Sequence, residues 1–135
     1  MEVNRSRNNK VKCAVLDTNV LMYVFLYKID VFSQLKEYGI DKFIIPVQVF
    51  EELKTLEKSK GSEKRAAKFA LSLIRLNCEI VEVDANGADN ALMKIAKECG
   101  CYLVTNDKTL RKKARNNKIA VGYIRELKKL EIEEF

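Results

Sequence analysis

The sequence has no histidine. That single absence removes Ser-His-Asp and Cys-His nucleophilic catalysis and imidazole ligation of metals. Tryptophan is missing as well, and Pro46 is the only proline. No apolar run is long enough to span a bilayer. Residues 1–12 contain no apolar signal-peptide core, so a cytoplasmic protein with no membrane partner is expected. No G-x-G-x-x-G occurs, which leaves out the dinucleotide-binding fingerprint. The four cysteines are Cys13, Cys78, Cys99 and Cys101. One C-x-C and two distant singles lack the paired knuckles of structural zinc. Each cysteine has apolar neighbours, so all four read as buried inert thiols, a disulfide being the less expected use in a cytosolic chain.

What is present suits a soluble globular protein: 47% apolar and 33% charged residues over 135 positions, enough for one domain with a core. The expected organisation is a loose basic tail over 1–11 and a single domain over 12–135, with a C-terminal tail from about 124. The net charge of +6 and the sequence pI near 9.1 suit a polyanionic partner such as nucleic acid.

Along the chain, "VKCAVLDT" reads as a strand, "NVLMYVFLYK" as an apolar helix and "DVFSQLKEYG" as a second helix stopped by Gly39. "KFIIP" is a short buried strand, and Pro46 suits the first turn of the helix "VQVFEELKTLEK". Ser62 is placed to cap "EKRAAKFALSLIRLN", and Asn86 to cap "GADNALMKIAKEC". "CEIVEVD", "CYLVT" and "IAVGYI" read as strands, and "DKTLRKKARNN" as a short basic helix. Short buried strands alternating with helices predict an α/β sandwich with a parallel sheet. Ligands of such sheets bind beyond the carboxyl ends of the strands, where the strand order reverses.

Four acids fall on that edge. Asp17 ends the first strand, and Asp107 follows the strand "CYLVT" within Thr105-Asn106-Asp107. Asp89 lies in the first turn of the helix after "CEIVEVD", and Glu51 and Glu52 ride on the helix after "KFIIP". At about 100° per residue, Val49, Leu53 and Leu56 form the buried face of that helix. Glu52 borders this face, whereas Glu51 points away with Gln48, Thr55 and Lys58. Clustered carboxylates repel one another and take up protons unless a cation stands among them. An all-oxygen donor set suits Mg²⁺ or Mn²⁺, which can activate water and offset charge on a phosphodiester. Taken singly, each acid has a plainer use. Asp17, Thr18 or Asn19 can cap a helix, as can Asn106 or Asp107. Asp89 suits a helix dipole, and Glu52 can pair with a lysine on the rim. Convergence on one edge is what these separate uses leave unexplained.

Two basic segments adjoin the acids: "KTLEKSKGSEKRAAK" and "KTLRKKARNNK". The second carries Lys108, Arg111, Lys112, Lys113 and Arg115 without an acid and follows Asp107 directly. It is placed to hold phosphates, although a solvated helix face explains it equally. Tyr23, Tyr27 and Tyr123 suit core packing better than base stacking.

The elements "AVLDTNVLM", "IPVQVFEELKTL", "DNALMKIAKECGCYLVTNDKTLRKKA" and "IAVGY" together resemble the PIN-domain ribonucleases over roughly residues 12–123. The resemblance assigns the family's acids to Asp17, Glu52, Asp89 and Asp107. Asn19, Thr105 and Asn106 fall at supporting positions. It implies a three-layer α/β/α fold with a five-stranded parallel sheet, Mg²⁺ or Mn²⁺ as cofactor, and cleavage of single-stranded RNA. Asp17 and Asp107 would ligate metal directly, with Glu52 and Asp89 holding a second ion or orienting water. Two roles are implied: a toxin restrained by a small antitoxin, or an RNA-processing nuclease of ribosome maturation with ribosome-assembly partners. A homodimer is a further implication. A receiver domain is disfavoured because "KFIIP" ends without a phospho-acceptor Asp, and a haloacid-type phosphatase because Asn19 stands where its second Asp belongs. A catalytically silent RNA-binding PIN scaffold is the remaining rival, and its usual mark, lost acids, is missing.

Overall fold

A computed structural model describes residues 12–134. The tail expected over residues 1–11 lies outside the described residues. Six strands, β1 (Lys12–Leu16), β2 (Ile40–Pro46), β3 (Cys78–Val81), β4 (Tyr102–Val104), β5 (Val121–Arg125) and β6 (Lys129–Glu133), form one sheet in the order β3-β2-β1-β4-β5-β6. The first five are mutually parallel, and β6 runs antiparallel to β5. The α/β class expected from the sequence is therefore present, with six strands instead of five and a mixed sheet instead of a wholly parallel one.

The sixth strand comes from the segment expected to be a tail. Ile124 and Arg125 still belong to β5. Glu126 and Leu127 then take left-handed conformations (φ 54° and 55°), and the Lys128 amide closes the turn on the Arg125 carbonyl at 3.0 Å. Two consecutive left-handed residues match the twist of an antiparallel pair. Leu130 is fully buried, its amide donates to Gln34 Oε1 at 2.7 Å, and its carbonyl accepts from the Tyr38 hydroxyl at 3.3 Å.

Among the described residues six helices connect the strands: α1 (Thr18–Leu26), α2 (Val31–Glu37), α3 (Val47–Leu56), α4 (Gly61–Asn77), α5 (Ala88–Cys99) and α6 (Lys108–Asn116). Local chemistry explains most of their ends. Asp17, Asp30 and Asp107 cap α1, α2 and α6 by accepting from backbone amides. Gly100 stops α5 in the left-handed conformation at φ 68°. Pro46 ends β2 and immediately precedes α3. The caps expected of Ser62 and Asn86 are not used. Helix α4 starts one residue before Ser62, and Gly87, at φ 89°, stands at the start of α5. No helix among the described residues is long and apolar enough to cross a membrane.

Strand β1 sits between β2 and β4, and Ala14, Val15 and Leu16 are wholly buried there. Burial of the sheet's centre follows from the continuous apolar runs of its strands. Edge strand β3 leaves Glu79 and Ile80 exposed. The expectation of four inert thiols is corrected in part. Ala14 is level with Tyr102 across the β1–β4 pair, which sets Cys13 beside Cys101, and these two form a disulfide. The Cys78 thiol is half-buried and its pKa is pushed up to about 12 by that burial, as an inert thiol requires, whereas Cys99 is free and exposed.

The chain runs from β1 outward to β2 and β3, then returns across the sheet to β4 on the other side of β1. The strand order therefore reverses between β1 and β4. Their carboxyl ends, which carry Asp17 and Thr105, face the crevice where such sheets bind ligands.

Candidate active site

Asp17, Thr18 and Thr105 are the buried polar side chains among the described residues, and all three belong to one hydrogen-bond network. The network begins where the sheet ends. The Asp17 amide donates to the Val104 carbonyl at 3.0 Å, continuing the β1–β4 ladder by one residue. Asp17 Oδ1 accepts from the Thr18 amide at 2.7 Å, and Oδ2 accepts from the Thr105 hydroxyl at 2.6 Å. Thr105 Oγ1 in turn accepts from the Asp107 amide at 3.1 Å, while Asp107 Oδ1 accepts from the Leu110 amide at 3.0 Å. From the other side, the Thr18 hydroxyl donates to Glu52 Oε1. Thus Thr18 and Thr105 link the first, second and fourth of the sequence-selected acids into one chain.

Asp89 joins this group through its electric field. The pKa of Asp17 is raised, first by burial and then by the charges of Asp89 and Glu52, against the lowering effect of its bonds from Thr105 and Thr18. That of Asp89 is raised by desolvation, then by Asp107 and Glu52, with Lys113 pulling it back. Asp17 thus feels the charges of Asp89 and Glu52, and Asp89 those of Asp107 and Glu52. Asp17 is the buried member, and Glu52, Asp89 and Asp107 are exposed. Their partners show that the plain and the functional uses coexist: Asp17 and Asp107 cap helices with one oxygen and keep the other for the crevice network or solvent. Of the two neighbouring glutamates, Glu52 holds the bond to Thr18, and Glu51 is exposed.

The supporting positions divide. Thr105 orients Asp17. Asn106 serves the backbone instead: Nδ2 donates to the Ile124 carbonyl at 3.0 Å, and Oδ1 accepts from the Ile124 amide at 2.6 Å. This side chain acts as an extra rung beyond β4 and fixes the Asp107 turn against β5. Asn19 is exposed on the first turn of α1 and takes no part in the hydrogen-bond chain.

The basic helix α6 is also less uniform than its sequence. Lys108, Lys112 and Lys113 are exposed. Arg115 pairs with Glu133 of β6 at 3.0 Å. The Arg111 guanidinium lies 4.2 Å from the centre of the half-buried Tyr123 ring, with Nε buried. Two of the five predicted phosphate-binding cations are thus engaged within the protein. Arg115 finds a partner only because residues 129–133 form a strand beside β5.

Two residues of the site carry no local sequence signal of their role. Thr18 was visible only as a cap, and its reach to Glu52 depends on α1 and α3 meeting across the edge. Gln48 was placed on the outward face of α3, yet it is half-buried and bonded to the segment before α5. An amide among outward-facing charged residues gives no local sign of that.

Every donor in the group is oxygen, and four carboxylates share one edge with little positive charge among them, which suits a hard divalent cation. Among the described residues, no three His, Cys, Asp or Glu side chains are closed around a common point as metal ligands.

A family described as "PIN like domain" matches residues 14–127. The chain belongs to that family. Two relatives extend the likeness of this PIN-like domain over nearly their whole length. Ribonuclease VapC9 of Archaeoglobus fulgidus is 51% identical over 134 residues, 98% of this chain and 98% of the relative. Ribonuclease VapC4 of Methanocaldococcus jannaschii is 41% identical over 124 residues, 87% of this chain and 94% of the relative. The PIN domain endonuclease Utp24 shares the fold, with a TM-score of 0.74 at 23% identity, covering 91% of this chain and 92% of that structure.

Proposed function

We propose that this PIN-like domain is an endoribonuclease that cleaves single-stranded RNA with Mg²⁺ or Mn²⁺, in the role of a toxin restrained by a small antitoxin. The observation that carries the chemistry is a buried carboxylate at the sheet's switch point: Asp17 is held by the Thr18 amide and the Thr105 hydroxyl and is within the fields of two further acids. The two ribonuclease relatives support the nuclease reading, and the toxin role is one that the resemblance to the PIN-domain ribonucleases implies. A cytoplasmic location and a homodimer accompany this reading.

The residues divide the work. Asp17 and Asp107 supply the principal cation-binding oxygens, and Glu52 and Asp89 complete the set or orient the attacking water. Thr105 and Thr18 fix Asp17 and Glu52 so that the carboxylates need not reorganise as the reaction proceeds. A bound divalent cation would lower the pKa of a coordinated water and offset the charge developing on the phosphoryl oxygens. Lys108, Lys112 and Lys113 hold backbone phosphates beside the acids.

The test is cleavage of an end-labelled single-stranded RNA with Mn²⁺, with EDTA, and with Asp17→Asn. Cleavage should require the metal and fall to background in the variant. Cleavage by Asp17→Asn at the wild-type rate would overturn the assignment.

A further inference from the structure

We infer that Gln48 is a positioning residue that sets the spacing between Glu52 and Asp89. Gln48 lies one helical turn before Glu52 on α3. Its Nε2 donates to two carbonyls, Val83 O at 2.9 Å and Ala85 O at 3.0 Å. Both belong to the segment over residues 82–87 that leads from β3 into α5, where Asp89 is the second residue. The carbonyl between them, Asp84 O, accepts from Lys94 Nζ of α5 at 2.9 Å. Three successive carbonyls are therefore held, two from α3 and one from α5. Among the described residues, the hydrogen bonds that join the helix of Glu52 to the segment leading to Asp89 are those from Gln48.

The unused half of the amide supports this assignment. Gln48 Oε1 is buried and has no partner among the described residues. Rotating the amide to expose the oxygen elsewhere would place it against the Val83 and Ala85 carbonyls, acceptor to acceptor. An orphaned buried acceptor is unfavourable, so the two donated bonds dominate the orientation of this side chain. The outcome is a strap from the first turn of α3 to the entry of α5. The strap leaves the cleavage chemistry to the acids and acts on their separation.

This inference rests on the reading of the acids as a cation-holding cluster. Its test compares Gln48→Met, which keeps the length and removes both donors, with Lys94→Met, which frees the same segment from α5 alone. The readouts are hydrogen exchange of amides 83–89, Mn²⁺ affinity by calorimetry, and kcat and KM for RNA. Gln48→Met should speed exchange in that segment, weaken Mn²⁺ binding about tenfold, and lower kcat with KM for RNA unchanged. Lys94→Met should speed exchange yet leave Mn²⁺ affinity at the wild-type value. If wild type binds Mn²⁺ and cleaves RNA while Gln48→Met does both equally well, the strap is overturned and the nuclease reading stands. If wild type neither binds Mn²⁺ nor cleaves, the nuclease reading fails and the strap falls with it. Gln48→Glu has the same shape but turns acceptors toward the two carbonyls. It should reproduce the loss of Mn²⁺ affinity should the methionine variant not accumulate as folded protein, and wild-type affinity in it would overturn the strap.

Discussion

Reducing the Cys13–Cys101 bridge should lower the melting temperature by roughly 16 °C without altering cleavage at 25 °C. The two cysteines are lateral neighbours on β1 and just before β4, with Cα atoms 4.7 Å apart, both buried, and 88 positions apart in sequence. In the chain-entropy account, a closed loop of that length removes about 15 cal/mol/K from the unfolded ensemble, or about 4.6 kcal/mol at 25 °C. A chain of 135 residues unfolds with an entropy of roughly 0.28 kcal/mol/K near its midpoint. The quotient of these values is the expected shift. Activity should persist because the bridge lies at the opposite end of the strands from the acids. Cys13 is four residues before Asp17, about 13 Å along a strand, and the β1–β4 ladder holds Asp17 in place without the bridge. The assay is thermal unfolding followed by circular dichroism, with and without a phosphine reductant, on protein prepared without thiols. Thiol counting under denaturing conditions should find two reactive groups of four before reduction. Four reactive thiols, or a midpoint insensitive to the reductant, would refute the reasoning.

Three further outcomes follow. Gly122→Ala should destabilise the fold by about 1–3 kcal/mol, because an added Cβ would stand 3.0 Å from Ile132 Cδ1 and 3.3 Å from Val104 Cγ2. Adding Ile132→Val should recover part of the loss in denaturant unfolding, and an unchanged stability in the single variant would show that Ile132 yields freely. Asp17→Asn should raise the melting temperature at pH 7 in EDTA. The folded-state pKa of Asp17 is raised, so its ionisation penalises the native state at neutral pH, and the penalty fades as pH falls toward the ordinary aspartate value near 4. The advantage of the variant should therefore shrink on acidification over that window, and an advantage that grows would contradict the sign. For RNA binding, Lys113→Ala should reduce the slope of log affinity against log salt by about one. Arg115→Ala should leave it unchanged because Glu133 already occupies that charge, and equal losses in the two would place Arg115 on the RNA.

Much of the architecture was legible because its signals are local. Short apolar runs between helical patterns marked the five parallel strands, aspartates marked helix starts, and helical spacing distinguished Glu52 from Glu51. Strand β6 was hidden for a local reason too. Lys129-Leu130-Glu131-Ile132-Glu133 alternates, but its outward residues are all charged, and Glu126-Leu127 lacks the Asn or Gly that commonly announces a tight hairpin turn. The caps expected of Ser62 and Asn86 failed because neighbouring glycines, Gly61 and Gly87, take the turn conformations at those helix starts.

The order of residue types along the chain was enough to establish an α/β sheet with acids at successive strand ends, since both follow from periodicity and from the common direction of parallel strands. Lateral placement was beyond it. The identity of each strand's neighbour depends on crossovers dozens of residues long, and with it came the Cys13–Cys101 pairing, the hydroxyl links of Thr18 and Thr105 to the acids, the grip of Gln48 on the segment before α5, and the capture of Arg115 by Glu133. Each of these joins residues distant in sequence. Their proximity reflects the packing free energy of the whole sheet and its helices, which no local run of the sequence carries.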